Sequence, residues 1–335
     1  MKVLVTGAAG FIGFHLTVSL SNQGHEVIGI DNINTYYDTE LKYGRLAIAG
    51  IHKDQILKKS IVGSTRFSNY SFMLLDITDK EALDELFSKY QFDVVCNLAA
   101  QAGVRYSIKN PYTYIESNVV GFMNILEACR HYPVKHLVFA SSSSIYGLNA
   151  KVPYSEDDKA DSPISLYAAT KKSGELMAHS YSKLYGIRAT GLRFFTVYGP
   201  WGRPDMAPFL FMDAIMHDRP IRVFNHGDLQ RDFTYIDDII QGINLILPAP
   251  PTGEVPFRIY NIGNAHPIQL MDFIHTIEDI TGKEFVCNYT DMQPGDVQMT
   301  YADITKIKND FGYHPSTSIR TGLEEFFKWY KTHIF

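Results

Sequence analysis

Tyr167 and Lys171 stand in a Y-x-x-x-K array, and on a helix residues four apart share a face, one turn from each other. A cationic ammonium beside a phenol favours the phenolate and draws a pKa of about 10 toward neutrality, which makes the tyrosine a usable general base. The same spacing arises in helices whose Tyr lines the core edge and whose Lys is solvated, so it gains weight only with a second feature. That feature is the run Ser141, Ser142, Ser143, Ser144. It closes an apolar stretch expected as a strand, at the carboxyl edge where doubly wound sheets bind ligands. Four hydroxyls in a row are poor core material.

A third array follows the first apolar run: Gly7, Ala8, Ala9, Gly10, Phe11, Ile12, Gly13, with the spacing G-x-x-G-x-x-G. Gly7 permits a tight turn, Gly10 lets backbone approach a pyrophosphate at a helix N-terminus, and Gly13 lets the helix lie close on the sheet. Asp31 ends the second apolar run, where an acid accepts hydrogen bonds from both hydroxyls of an adenosine ribose; a 2′-phosphate there would be repelled, and no Arg lies between Asp31 and Arg45. The expected cofactor is therefore NAD rather than NADP. The plainer alternative for Asp31 is a turn or cap residue. Asp76 and Ile77, after the third run, hold adenine in the same scheme, the alternative being an ordinary helix cap before Lys80.

These residues need a frame, and the chain supplies one. Apolar runs at 2–6, 26–30, 71–75, 93–97, 136–140 and 188–193 alternate with helical periodicity at 11–23, 79–89, 112–131 and 166–185. That alternation predicts an α/β fold: a doubly wound parallel sheet of the Rossmann type, covered on both faces. Gly199, Pro200, Gly202, Pro204 and Pro208 mark a change of texture. A smaller α/β lobe is expected from 194 to 231 and from 251 to 335, with 1–193 as the dinucleotide domain and 232–250 returning to it. Its elements are strands at 221–224 and 258–261 and helices near 206–217, 267–281 and 319–332.

At 335 residues the chain is long enough for a large core or two lobes. A formal charge of −5 gives no support to nucleic-acid binding. Cys96, Cys129 and Cys287 are widely spaced among apolar neighbours, which fits free thiols in a reducing compartment rather than disulfides or a metal knuckle. The first run starts too early for a signal peptide, and no stretch reaches the roughly 18 apolar residues of a membrane span. A cytoplasmic protein without metal or membrane partner is expected.

Taken together, the glycine array, Asp31, the serine run and the Tyr-Lys pair resemble the extended short-chain dehydrogenase/reductases over nearly the whole chain. Within that class the sequence resembles UDP-glucuronate 4-epimerases, through A-Q-A-G-V-R-Y-S from Ala100, S-S-S-S-I-Y-G from Ser141 and R-F-F-T-V-Y-G-P-W-G-R-P-D-M-A from Arg193. The blocks R-D-F-T-Y-I-D-D from Arg231, Y-N-I-G from Tyr260 and Q-P-G-D-V from Gln293 resemble the nucleotide-sugar lobe of the wider family.

The resemblance implies an NAD-dependent inversion at C4 of a UDP-hexuronic acid. Tyr167 takes the 4-OH proton with Ser142 sharing it, Lys171 also binds the nicotinamide ribose, and hydride leaves C4 and returns to the opposite face of a rotated 4-keto sugar. Cofactor contacts are implied for Gly7, Gly10, Phe11, Ile12, Gly13, Asp31, Asn32, Asp76, Ile77, Leu98, Ala99, Ala100 and Ser141. Substrate contacts are implied for Ser143, Ser144, Thr196, Arg203, Arg222, Phe224, Arg231 and Asp296: pyrophosphate for Arg231, nucleoside for Asp296, uracil for Phe224. A 4-keto uronate is a β-keto acid that loses CO2 readily, so Arg203, Thr196, Ser143 and Ser144 are expected to restrain its carboxylate. The alternatives are an ion pair with Asp205 for Arg203, plain core for Phe224, and a loop brace for Arg105.

Dehydratases of this class carry Asp and Glu where Ser143 and Ser144 stand, and decarboxylating relatives carry a Glu in the segment. Asn97 departs from the His common in these epimerases. Ser173 and Gly174 replace Ala-Asn, Gly174 at a cost of about 1 kcal/mol in a helix and with room for a close helix crossing, as at a dimer interface. A homodimer through helices 112–131 and 166–185 is implied. The rival readings are a 4-epimerase of neutral UDP-sugars, with Arg203 discriminating, and a non-catalytic NAD-binding protein on the same fold.

Overall fold

The computed structural model describes residues 1–293 and 296–334. The chain divides into two compact units, the first comprising Met1–Gly147, Ala160–Arg193 and Ile240–Tyr260, the second Leu148–Lys159, Phe194–Ile239 and Asn261–Phe335.

The first unit is built on β1 (Lys2–Thr6), β2 (Glu26–Asp31), β3 (Ile61–Gly63), β4 (Tyr70–Leu74), β5 (Val94–Asn97), β6 (His136–Ser142), β7 (Ala189–Phe194) and, beyond the strands of the second unit, β11 (Phe257–Ile262). Among the described residues they form one sheet in the order β11-β7-β6-β5-β1-β2-β4-β3. β1 pairs parallel with both β2 and β5, so successive strands run off in opposite directions from it and the loops after β1 and β5 diverge. That divergence is the switch point where such sheets bind ligands. Strand centres are apolar on both faces, as burial by two helical layers demands: Leu4, Val5, Val95 and Leu137 have no exposed surface. Leu83, Phe87, Phe122 and Leu126 close one layer over them.

Helix Leu166–Tyr185 has the bounds the sequence predicts because both ends carry strong signals. The Ser165 hydroxyl accepts the Ala168 N–H, and Gly186 takes the left-handed conformation that ends the helix, at φ 69°.

Four expectations change. The helix at 112–131 is interrupted by a π-helical segment, Ile115–Gly121, before Phe122–His131. Its last residue, Gly121, lies against Ile77, where a Cβ would come within 2.7 Å of that side chain. A helix Thr39–Ile48 and the edge strand β3, antiparallel to β4, occupy a stretch without a clear period. The strand expected at 258–261 in the smaller lobe is β11 of the large sheet, because Gly191 opens room for Ile259 beside Phe139. The segment belonging to the first unit is therefore 240–260 instead of 232–250, while 148–159 joins the second unit through Tyr154, whose N–H donates to the Tyr301 carbonyl.

In the second unit, β8 (Thr196–Tyr198), β10 (Gln230–Tyr235) and β12 (Pro267–Gln269) form one small sheet, and β9 (Ile221–Phe224) with β13 (Cys287–Thr290) another. Helices Ala207–Met216, Leu270–Thr281 and Ile319–His333 pack around Phe233 and Phe273, stacked at 4.5 Å. Asp232 has no exposed surface, and its carboxylate accepts the N–H groups of Asn264, Ala265 and Ala302 at 2.8–3.0 Å. One buried acid thus ties three strands of chain together. Among the described residues no helix is long and apolar enough to cross a membrane.

Candidate active site

Gly7 follows β1 at φ +71°, and a Cβ on it would stand 2.9 Å from the Ala99 nitrogen; one on Gly13 would lie 2.0 Å from the Gly7 carbonyl oxygen. Only glycine fits at either place. Helix Phe11–Asn22 starts at Gly10 with no side-chain cap and no acid in its first turn, so its positive pole is left to an anion. Phe11 and Ile12 open that helix. Asp31 is buried at the end of β2 and braces the turn: its carboxylate accepts Ala9 N–H at 3.1 Å and Ile33 N–H at 2.8 Å. A carboxylate has about four acceptor sites, so two remain for ribose hydroxyls. Asp76 accepts from the Asn32 amide at 2.7 Å, which brings those two expected cofactor residues together, and it also closes a turn on Thr78. Ile77 is buried beside Gly121.

Across the switch point lie Leu98, Ala99 and Ala100. Asn97 does structural work here: its side-chain oxygen accepts from the Thr6 hydroxyl at 2.7 Å, and that hydroxyl accepts Ala99 N–H at 3.0 Å. Arg105 lies just before the short helix Tyr106–Lys109. A dinucleotide fits this arrangement, since the two loops meet backbone to backbone at a place where any Cβ would intrude.

The Tyr-Lys helix is fastened to the frame at three levels. Asn118, in the π-helical segment, accepts Gln101 N–H at 2.8 Å and donates to the Gln101 carbonyl and to the Thr170 hydroxyl, both at 3.0 Å; Thr170 in turn donates to the Tyr167 carbonyl at 2.8 Å. At the next residue, the Lys171 ammonium donates to the Ala140 carbonyl at 2.9 Å, and burial pushes its pKa down to about 8. At the third level Glu175 accepts from Ser141 at 2.7 Å and from Arg193 Nε and Nη2 at 2.8 and 2.9 Å, while Arg193 Nη1 donates to the Tyr146 hydroxyl at 2.9 Å. Burial alone would raise the Glu175 carboxyl, but Arg193 and Ser141 outweigh it and hold it below the usual range. Tyr167 is half-buried, with its ring 6.1 Å from that of Tyr114 in an edge contact.

At the end of β6, Ser142 caps the turn Ser143–Tyr146: its hydroxyl accepts Ser144 N–H at 3.2 Å and donates to the Ser144 hydroxyl at 3.1 Å. Ser143 and Ser144 are half-buried. Ser141, expected at the cofactor, has its hydroxyl committed to Glu175, which leaves its backbone for that role. Gly174 faces Phe122, whose ring would stand 3.5 Å from a Cβ built there.

In the second unit, Thr196 pairs with Phe233 between β8 and β10. Arg231 donates to the carbonyls of Gln230 at 2.9 Å and Gln298 at 3.1 Å, which draws it to the segment that follows Asp296. Pro294 and Gly295 of the Q-P-G-D-V block lie outside the described residues. Arg222 is exposed, its guanidinium 5.6 Å from the centre of the half-buried Phe224 ring. Arg203 makes a two-bond pair with Asp205, at 3.0 and 2.5 Å.

Sequence reasoning missed Asn118, Glu175 and Arg193, which hold the reacting side chains rather than present chemistry. It also missed Arg45, fully buried, which donates to the Ala9 carbonyl at 2.9 Å and to Tyr37 at 2.7 Å and so stiffens the glycine turn. Glu175 alone carried a legible signal, standing four residues beyond Lys171 on the same helical face. Among the described residues no group of three His, Cys, Asp or Glu side chains is arranged to hold a metal ion.

A glycine cradle at the switch point, with a buried lysine and a tyrosine one turn apart beside a hydroxyl-lined strand end, defines a dinucleotide-dependent enzyme of the extended short-chain dehydrogenase/reductase class. More narrowly, the chain belongs to the NAD dependent epimerase/dehydratase family, whose model matches residues 3–263. Protein CapI of Staphylococcus aureus is 50% identical over 98% of this chain and 98% of that one. The probable UDP-glucuronate 4-epimerase of Rhizobium meliloti is 44% identical, over 98% and 97% respectively. Among solved structures, the UDP-glucuronic acid 4-epimerase from Bacillus cereus in complex with UDP-glucuronic acid and NAD superposes with a TM-score of 0.87 at 35% identity, covering 99% of both chains.

Proposed function

We propose that this chain is an NAD-dependent epimerase that reversibly inverts C4 of UDP-glucuronate to give UDP-galacturonate. The observation that carries the reading is the end of β6, where Ser142 caps a turn that presents the half-buried Ser143 and Ser144, hydroxyls at the two positions where dehydratases of this class carry Asp and Glu. Proton transfer at a hydroxyl is served there, whereas elimination of water would need an added acid and base. Full-length likeness to UDP-glucuronate 4-epimerases supports the substrate.

In this reading Tyr167 takes the 4-OH proton and Ser142 shares it. Lys171, which donates to the Ala140 carbonyl in the structure, would hold the nicotinamide ribose when the cofactor is bound and would favour the tyrosine as phenolate. Bound NAD+ supplies the hydride acceptor for C4 and the hydride that returns. Gly7, Gly10, Phe11, Ile12 and Gly13 seat its pyrophosphate, Asp31 and Asn32 its ribose, Asp76 and Ile77 its adenine, and Leu98, Ala99, Ala100 and the Ser141 backbone line the nicotinamide end. Arg222, Phe224, Arg231 and Asp296 hold UDP while the sugar turns; Ser143, Ser144, Thr196 and Arg203 restrain the carboxylate.

The chain also works as a homodimer in this reading. Tyr112, Ile115, Val120 and Met123 on one helical stretch and Leu176, Leu184 and Tyr185 on the next expose large apolar side chains, as a helical interface requires. Free Cys96, Cys129 and Cys287 support a reducing, cytoplasmic setting.

The test is to incubate the purified protein with UDP-glucuronate, without added NAD, and to follow products by NMR. UDP-galacturonate without CO2 is expected. If uronate stays untouched even with NAD while UDP-glucose or UDP-N-acetylglucosamine turns over, the neutral-sugar reading replaces this one.

A further inference from the structure

Arg203 and Asp205 are joined by two parallel charge-assisted bonds, Nε to Oδ1 at 3.0 Å and Nη2 to Oδ2 at 2.5 Å. This is the geometry in which a guanidinium binds any carboxylate. The two residues belong to one turn, Arg203-Pro204-Asp205-Met206, closed by Met206 N–H donating to the Arg203 carbonyl at 3.3 Å. Pro204 suits the second position of such a turn because its ring fixes φ. Upstream, Gly202 N–H donates to the Gly199 carbonyl at 3.0 Å, and Trp201 packs on Trp329 and His333 of the last helix at 5.3 and 5.1 Å. Downstream, helix Ala207–Met216 begins at once. Backbone anchored on both sides fixes the short Asp205 side chain, whereas the guanidinium sits at the end of a long, rotatable stem. When the pair opens, it is Arg203 that moves.

We propose that Asp205 is a specificity-determining residue, an internal carboxylate that holds Arg203 until a hexuronate carboxylate replaces it. The proposal rests on the reading of the chain as a uronate epimerase and goes beyond it, since that reading gives Asp205 no part. The pair is reachable by an exchanging ligand, because the two side chains are 23% and 30% exposed. A hydroxymethyl group on C5 offers one neutral acceptor and cannot compete for the fork, so with a neutral sugar the pair stays shut. A carboxylate on C5 offers the same two oxygens as Asp205 and exchanges at little net cost. Two consequences follow: the cation is never left unpaired, and uronate binding is weaker than a free arginine would make it. Weak retention suits a sugar that must release its carboxylate, turn over and bind again.

Asp205→Asn keeps the shape and removes the competing charge. Calorimetric Kd values and KM are measured for UDP-glucuronate and UDP-galacturonate, with UDP and UDP-glucose as references, at fixed salt. Both uronates are expected to bind about two- to fivefold tighter, the range for release of a partly exposed ion pair, with the references changed less than about 1.5-fold. In an Arg203→Met background the same substitution is expected to do nothing, as a double-mutant cycle requires. Unchanged or weaker uronate binding in Asp205→Asn would overturn the proposal, and would instead make Asp205 a strut that aims Arg203. Equal tightening of UDP would also overturn it, by showing only the loss of a negative charge near an anion. If the wild type binds UDP-glucuronate without epimerising it, the functional reading fails while the binding ratio still decides the role of Asp205; if it binds none, both fall.

Discussion

The end of β6 and the turn at 203–206 both hold groups that a reaction would use, and they hold them in opposite ways. Around β6 the bonds that fasten the Tyr167 helix are buried or part-buried and shared among several elements: Lys171 to Ala140, Asn118 to Gln101 and Thr170, and Glu175 to Ser141 and Arg193, the last pair with side chains only 4% and 3% exposed. In the turn at 203–206 one exposed pair joins neighbours in sequence. Removing one partner from the first kind leaves an uncompensated buried charge, whereas the second kind opens into water. Rigid placement serves the atoms that exchange a proton at fixed geometry. Exchangeable placement serves a substrate group that has to let go.

The comparison breaks most readily at the chemistry itself. Tyr167→Phe is expected to lower turnover of UDP-glucuronate by at least about 10²–10⁴-fold, the usual worth of a positioned acid–base group, with NAD content unchanged. Unaltered turnover would remove Tyr167 from the mechanism. Next in size comes Glu175→Gln. It leaves the Arg193 guanidinium buried without its counter-charge, and the expected loss is about 3–5 kcal/mol of unfolding free energy in urea, with kcat falling more than KM rises, because Ser141 and the strand end lose their tie. A variant with wild-type stability would show that water reaches the site and that the rigid half of the comparison is wrong.

How much of this was legible depended on whether the signal was local. The glycine turn after β1 and the bounds of helix Leu166–Tyr185 were legible because each carries its determinants within a few residues: Gly7 at positive φ, Ser165 as cap, Gly186 as terminator. Arg193 was silent, and Glu175 showed only its place on the Lys171 face, since nothing in either neighbourhood says that they meet. The π-helical segment Ile115–Gly121 was read as plain helix because its apolar spacing is helical, while its cause, Asn118 reaching Gln101 and Thr170, is tertiary. β11 was assigned to the wrong unit for a similar reason: its place depends on the gap at Gly191, far upstream. At Arg203 the ion-pair alternative is the one formed in the structure, and the proposed carboxylate role requires that pair to open.

The buried lysine sharpens the contrast through pH. Burial lowers the Lys171 pKa to about 8 in the folded, cofactor-free protein, against 10.5 for an unperturbed lysine. Between those values the unfolded chain holds the proton and the folded chain does not, so the stability contributed by this site rises with pH across that window. The gain is about 3 kcal/mol at full span. Urea unfolding of cofactor-stripped protein at pH 7, 8.5 and 10, set against Lys171→Met, should show that difference growing with pH. A constant difference would mean that Lys171 keeps its charge, and that the strand end is wetter than its burial implies.

Arg203→Met gives the smallest effects and probes the exchangeable half. Losing a two-bond contact to the substrate carboxylate should raise KM for UDP-glucuronate roughly tenfold, as for hydrogen bonds to a charged group, and should leave KM for any neutral UDP-sugar near its starting value. Unfolding free energy should shift by less than about 1 kcal/mol, since the bonds to Asp205 are partly exposed and water replaces them. The two measurements together separate the halves of the molecule, because a residue that shifts KM without touching stability is held by its ligand and not by the fold. Were the variant instead to lose several kcal/mol, the turn at 203–206 would have to be grouped with β6 as rigid framework, and an exchange between Asp205 and a substrate carboxylate would be too costly to occur in turnover.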